Sequence, residues 1–335
     1  MMKHILAIFT LVLTTGVNCA AQSTFQKSDD SSMLEFWVND AVFNADPELV
    51  RLIGDVYTYS RSGGFTANTL DKDLDWMNAY RAKLNSYYNR HSGTLSAGFY
   101  RDYDEPMTSF DITDMVVGEG RRLGAMNEDF SSMGMIVAND YENTLLLIEQ
   151  YNEFARLLDE CDTPEQRAAL KAEFQSWLKL KDLLLLAFSN MTDMYFWGGT
   201  ISGPLGTAGI LDIWRTHVDL YRHEYSLLTD GDAFESVGTF VEPAVTLFNE
   251  CSKLALDQCD IAKAVFLTSE DRPRYADIYD YTRNIVSHLP GATNDWVKAR
   301  DKWIDEVAAD ELRSTYMRNT ADVLIRHANL LSSVN

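Results

Sequence analysis

Between Thr163 and Met191 the large apolar side chains recur with the period of an α-helix: Leu170, Phe174, Trp177, Leu184, Phe188 and Met191 are spaced four, three, seven, four and three. Such a row puts one apolar stripe on one helix face and is incompatible with the two-residue alternation of a strand. Lys181 stands at the one skipped position. The segment also carries its own start signal, because Thr163 can cap, Pro164 fits the first turn and Gln166 can close a capping box. Just upstream, Leu147, Tyr151, Phe154 and Leu158 step by four, three and four, and Cys161 and Asp162 end that face. The pair predicts a helical hairpin.

The same period extends through most of the chain. Asp46 and Pro47 open a segment as cap and first-turn proline that ends near Ser62, Gly63 and Gly64, and a further helix is predicted over Thr69–Arg90. Later helices are predicted over 207–228, 232–266, 274–288, 293–313 and 314–332. Alternating β-branched runs are absent, so the expected fold is all-α, a multi-helix bundle divisible into two helical-hairpin halves. Ser92–Phe110 is aromatic and irregular and reads as a strap packed over the bundle. Gly118, Gly120 and Gly124 interrupt a segment that is either helix or turn; they make no phosphate loop, since no Lys followed by Ser or Thr comes after them.

Gly198, Gly199, Gly203, Gly206 and Gly209, with Pro204 among them, break the pattern between Trp197 and Ile210. The expected organisation is a signal peptide at 1–21, a flexible leader at 22–32, a helical domain at 33–197, a glycine-rich hinge at 198–209 and a second helical domain at 210–335. A ligand loop is the alternative use of those glycines.

The N-terminal assignment rests on Met1, Met2, Lys3 and His4, the apolar run Ile5–Val17 and the small residues Ala20 and Ala21. A positive head, an apolar stretch too short to span a bilayer and a small-residue end describe a cleavable export signal, with Gln22 as the new N-terminus. The expected location is therefore the periplasm or the cell exterior. The rival is a lipoprotein acylated on Cys19, but Gly16, Val17 and Asn18 are a poor approach to such a cysteine. Removing the signal takes away Lys3 and no acid, leaving 28 basic against 50 acidic side chains, or −22. Such a field repels phosphate backbones, which argues against nucleic acid, and attracts basic proteins. Beyond the signal no apolar run reaches the roughly 20 residues of a membrane span. A hydrophobic content of 46% supplies ample core. Cys161, Cys251 and Cys259 allow at most one internal disulfide, and three unpaired buried thiols are the equal alternative.

Familiar catalytic patterns are missing. Asp71, Asp73 and Asp75 have calcium-loop spacing, but Trp76 stands where the glycine is required and Ala82 where the closing glutamate belongs. His223 and Glu224 have Leu227 where a zinc-protease helix places its second histidine. No G-x-S-x-G elbow and no C-x-x-C occurs, and no metal or cofactor is implied. The richest polar cluster is Trp214, Arg215, His217, Asp219, Arg222, His223 and Glu224 on one predicted helix. Asp219 and His223, four apart, share a face, as an acid–base pair or two metal ligands would. The bland alternative is a solvated face with ion pairs.

Leu170, Trp177, Lys181 and Asp182, preceded by Tyr151, Phe154, Leu157 and Leu158 across the Cys161–Pro164 turn, resemble the lysozyme-inhibitor-like LprI N-terminal domain family over about residues 148–190. That pattern is a leucine, a tryptophan seven residues on, then a basic–acidic pair four and five further; here Lys181 replaces the usual arginine and Phe174 the usual glutamine. Near 279–315 a degenerate echo places Trp303 thirteen residues after Pro290, as Trp177 follows Pro164, with Trp296 in the place of Leu170 and Val307 and Ala308 in the place of the charged pair. The resemblance implies a secreted helical lysozyme inhibitor, for which an acidic body suits a basic partner. Against it stand an enzyme built on His217, Asp219, His223 and Glu224, and a structural envelope protein.

Overall fold

In the computed structural model, residues 46–92, 107–125, 132–195, 202–230, 241–266, 272–308 and 310–333 are described, and they form nine α-helices and no strand. The expected signal, leader and Cys19 lie outside these residues, as does most of the Ser92–Phe110 strap. The helices are α1 (Pro47–Arg61), α2 (Leu70–His91), α3 (Ser109–Ala125), α4 (Ser132–Glu160), α5 (Pro164–Tyr195), α6 (Ser202–Asp230), α7 (Val241–Phe266), α8 (Arg272–Val307) and α9 (Asp310–Ser332). None is long and apolar enough to cross a membrane. An all-α bundle is what the periodicity demanded.

The chain divides into two compact units, residues 1–156 and 157–335. The division falls late in α4 and not at the expected hinge. Residues 198–201 lie outside the described set, while Ser202–Gly209 form the first turns of α6. Here glycine serves close approach rather than bending. A Cβ on Gly209 would collide with the Phe188 ring of α5, which occupies the space a side chain there would need. Gly118, Gly120 and Gly124 are likewise helical, within α3, and a Cβ on Gly120 would come within 2.8 Å of Ile53.

In the first unit α1 begins as predicted, with Asp46 accepting from the Leu49 amide at 3.0 Å and Pro47 at the first position. Of the three spaced aspartates only Asp73 is buried. Its carboxylate accepts from Tyr59 at 2.9 Å, Thr69 at 2.8 Å and Tyr151 at 3.3 Å, which makes it a structural acceptor rather than a cation ligand. Tyr59 stacks on Trp76, and Phe65, held at φ 61° after Gly63, packs edge-on to both. Arg121 joins α3 to α4 by reaching Glu142 at 2.9 Å and Glu149 at 2.8 Å.

The second unit is built around α5, which packs on α6 and α8, while α7 packs on α8 and α9. The capping box forms as read: Gln166 N donates to Thr163 Oγ1 at 3.1 Å and Thr163 N to Gln166 Oε1 at 3.2 Å. The Gln166 amide also donates to the Glu306 carbonyl of α8 at 3.0 Å, so the start of α5 is tied to the end of α8. One expectation fails at Pro290. The predicted helices at 274–288 and 293–313 are one helix, α8, with Pro290 inside it. Proline removes one helical hydrogen bond and commonly ends a helix. Leu289 on one side and Trp296 on the other are fully buried, however, and their packing carries the helix through. Cys161, Cys251 and Cys259 are buried free thiols, and burial pushes Cys161 and Cys259 up to about 11, so all three are poor nucleophiles.

Replacing Gly209 with Ala tests the α5–α6 contact. Helix propensity favours Ala by about 1 kcal/mol, whereas overpacking against a ring costs about 1–3 kcal/mol. Urea denaturation of Gly209→Ala is expected to show a net loss of stability. A gain would mean that Phe188 moves aside freely.

Candidate functional site

A fully buried cluster of ionisable groups lies inside the second unit. α5 contributes Glu173, three residues past Leu170 on the inward face. α6 contributes His217, Tyr221 and Glu224, and α8 contributes Trp296, Arg300 and Trp303. Each of these trios has i, i+4, i+7 spacing, which puts its members in one row facing the other helices. Glu173, His217, Glu224 and Arg300 are all fully buried.

Two acceptor centres organise the row. Glu224 takes both terminal nitrogens of Arg300, with Nη1 at 3.0 Å and Nη2 closer still, and Trp303 Nε1 at 3.1 Å. Glu173 accepts from Trp296 Nε1 at 2.8 Å and from the Tyr221 hydroxyl; His217 Nε2 lies 3.6 Å away and Arg300 Nη1 3.8 Å. Arg300 Nε reaches Thr320 of α9 at 3.3 Å, and Thr320 donates onward to the Tyr316 carbonyl at 3.0 Å. His217 lies flat on Trp177, with ring centres 3.8 Å apart. The cluster thus joins α5, α6, α8 and α9.

Burial and charge act against each other on every member. Burial pushes His217 down to about 4 despite Glu173 beside it, so its imidazole is neutral near pH 7. Burial would raise Glu173, but the pairing with His217, the Arg300 charge and the Tyr221 hydroxyl outweigh it and hold the carboxyl low. At Glu224 burial prevails over Arg300, and the carboxyl is raised. In α9, His327 is pushed down to about 3, first by burial, and neither of its ring nitrogens finds a hydrogen-bond partner among the described residues.

The polar cluster read from α6 does not hold together as one site. Two positions along a helix turn the side chain by about 200°, so Asp219 cannot share the face of His217. His217 and Glu224 point into the core, whereas His223 is exposed and Asp219 faces outward toward Arg326 at 3.6 Å. Asp219 and His223 do share a face, as expected, but it is the solvated one. Among the described residues no group of three or more His, Cys, Asp or Glu side chains is placed to hold a metal.

The motif residues are also mostly interior. Leu170 and Trp177 are fully buried. Lys181 bonds Asp182 at 2.9 Å and lies 4.6 Å from the centre of the Trp214 ring. The adjacent acid thus folds back to neutralise the lysine. No local pattern in the sequence marks Glu173 or His327. Arg300 had a detectable signal, since it sits between Trp296 and Trp303 at core spacing where only a paired charge can be buried. No family model matches the chain, and no curated protein or solved structure does.

Two outcomes follow from this geometry. Arg300→Met leaves two buried carboxylates without their cation and is expected to cost about 3–5 kcal/mol in urea unfolding, while Arg300→Met with Glu224→Leu recovers much of it. A loss below about 1 kcal/mol for the single variant would exclude a keystone role. Acid has a signed effect as well. His217 and His327 have folded values below the ordinary 6.5, so the unfolded chain binds more protons and stability is lost as pH falls from about 6.5 toward 4. Each histidine contributes up to about 1.4 kcal/mol per pH unit in that window. Glu173, held low, adds to the loss below its ordinary 4.5, and Glu224, raised, opposes it. His327→Leu is expected to make thermal stability less steep between pH 6.5 and 4. An unchanged slope would remove His327 from the account.

Proposed function

We propose that the chain is an exported, acidic, all-helical binding protein whose partner is a basic protein, with a lysozyme as the partner that the Leu170–Asp182 resemblance implies. The observation that carries this is where the charge lies. The chain has 50 acidic against 29 basic side chains. Among the described residues, burial withdraws Asp73, Glu149, Glu153, Glu173 and Glu224 on one side and Arg81, Lys181 and Arg300 on the other. Five acids against three bases hardly dents the excess, so the negative field is a property of the surface and acts on whatever approaches.

Placement of the candidate chemical groups favours binding over catalysis. His217 and Glu224 are engaged in holding helices together, and Asp219 and His223 face solvent away from them. Leu170 and Trp177 are buried within the second unit, where α5 packs on α6 and α8, so the motif supports the body and the contact with a partner falls to the surface.

The test is lysis of a cell-wall suspension by a basic lysozyme with and without the purified protein, at low and high salt. Inhibition is expected at low ionic strength and is expected to weaken as salt screens the attraction. Undiminished lysis at low salt would refute a lysozyme partner.

A further inference from the structure

α7 turns two different faces outward and inward. Val241, Ala244, Phe248, Cys251, Ala255 and Cys259 are buried against the bundle. Beside that buried face runs a second apolar row that nothing among the described residues covers: Leu247, Leu254 and Ile261 are 38%, 53% and 55% exposed. Their spacing of seven and seven aligns them along one side of the helix over about 21 Å. Only one other large hydrophobic among the described residues, Leu205, is exposed, so three of four lie in a single line. Scattered exposed leucines are ordinary, but a ruled line of them is a contact surface.

The margin of this ridge is acidic. Glu250 and Asp257, both exposed, follow Leu247 and Leu254 by three residues and flank the row on one edge, with Lys253 further round. Two cations near this end of α7 are already engaged, Lys263 with Asp280 and Arg283 with Asp260 at 2.9 Å. A second copy of the chain laid on the ridge would bring Glu250 and Asp257 rows together on bodies that each carry −21. Like charges so placed repel, and a cationic partner gains where a copy loses.

We infer that Leu247, Leu254 and Ile261, with Glu250 and Asp257 as the charged margin, are a docking surface for a cationic amphipathic helix of a partner protein, an assignment that rests on the binding-protein function proposed above. Apolar side chains at i, i+3, i+4 and i+7 of the partner cover the ridge, and its lysines or arginines meet the two carboxylates. Three anchors match the four turns over which the row extends.

The experiment uses the purified full chain and two fluorescent 18-residue helical probes, one of leucine and lysine and one of leucine and glutamate. Anisotropy is expected to show salt-sensitive binding of the lysine probe and none of the glutamate probe. Leu254→Gln with Ile261→Gln is expected to weaken binding roughly tenfold or more, and Glu250→Gln with Asp257→Asn to weaken it and flatten its salt dependence. Leu205→Gln, on α6, is expected to change nothing, and unchanged thermal midpoints confirm that the variants fold. Equal binding of both probes, or full binding by the Leu254/Ile261 variant, would overturn the assignment. So would a wild-type dimer that the same variant dissociates, since a second copy would then cover the ridge. Lysozyme inhibition separates this from the broader function: inhibition retained by the ridge variant rejects the ridge alone, and ridge-dependent probe binding without lysozyme inhibition rejects lysozyme alone.

Discussion

The pairing of Arg300 with Glu224 is the constraint around which the second unit is assembled. A guanidinium with no exposure is tolerated only where a carboxylate meets it and its other donors find acceptors. Both terminal nitrogens engage Glu224 and Nε engages Thr320, so α8 is joined to α6 and to α9 by one side chain. A two-pronged contact of this kind closes at one axial offset between helices. Leucine packing alone would tolerate a shift by a turn; the buried pair does not.

The surrounding aromatics make the pairing sustainable. Trp303 and Trp296 donate to Glu224 and Glu173, so each carboxylate has a neutral donor besides the cation. Trp177 covers His217 and thereby keeps water from the Glu173 side of the cluster. Such a cover also depresses His217, which stays neutral and leaves Arg300 as the cation shared by the two carboxylates. The tryptophan that stands out in the α5 motif is therefore part of the same assembly as the tryptophans of the 279–315 echo. The two segments pack directly on each other, with Trp296 of α8 donating to Glu173 of α5 at 2.8 Å, and both meet α6 through His217 and Glu224.

Local signals were readable wherever a few neighbouring residues decide the outcome. The Thr163–Gln166 box and the Asp46–Pro47 start depend on spacing within one turn, and both formed as read. The α5 stripe was also legible, because a helix buries a face whose members lie three or four apart. Where a distant residue intervenes, local signals misled. Pro290 predicted a break that the burial of Leu289 and Trp296 overrode. The glycines of 198–209 read as a hinge from sequence, which could not show that at Gly209 the ring of Phe188 occupies the space a side chain would need. The polar residues of α6 divide between two faces. His217 and Glu224 belong to the core and Asp219 and His223 to the surface, a division set by helix rotation against neighbours that the sequence does not name.

By itself, then, the sequence determined the all-helical architecture, the starts of α1, α2 and α5 and the acidic character of the chain, since each follows from periodicity, capping chemistry or charge within a short window. The tertiary structure alone decided which charges are buried together. Glu173, Glu224 and Arg300 are separated by 51 and 76 positions along the chain, and whether a carboxylate in a helical stripe meets a guanidinium or water depends on the offset between helices. It also decided that the Leu247, Leu254 and Ile261 row stays at the surface. A stripe read from sequence has a face but no partner, and only the packing of α7 on α8 and α9 chose which of its two apolar rows to bury.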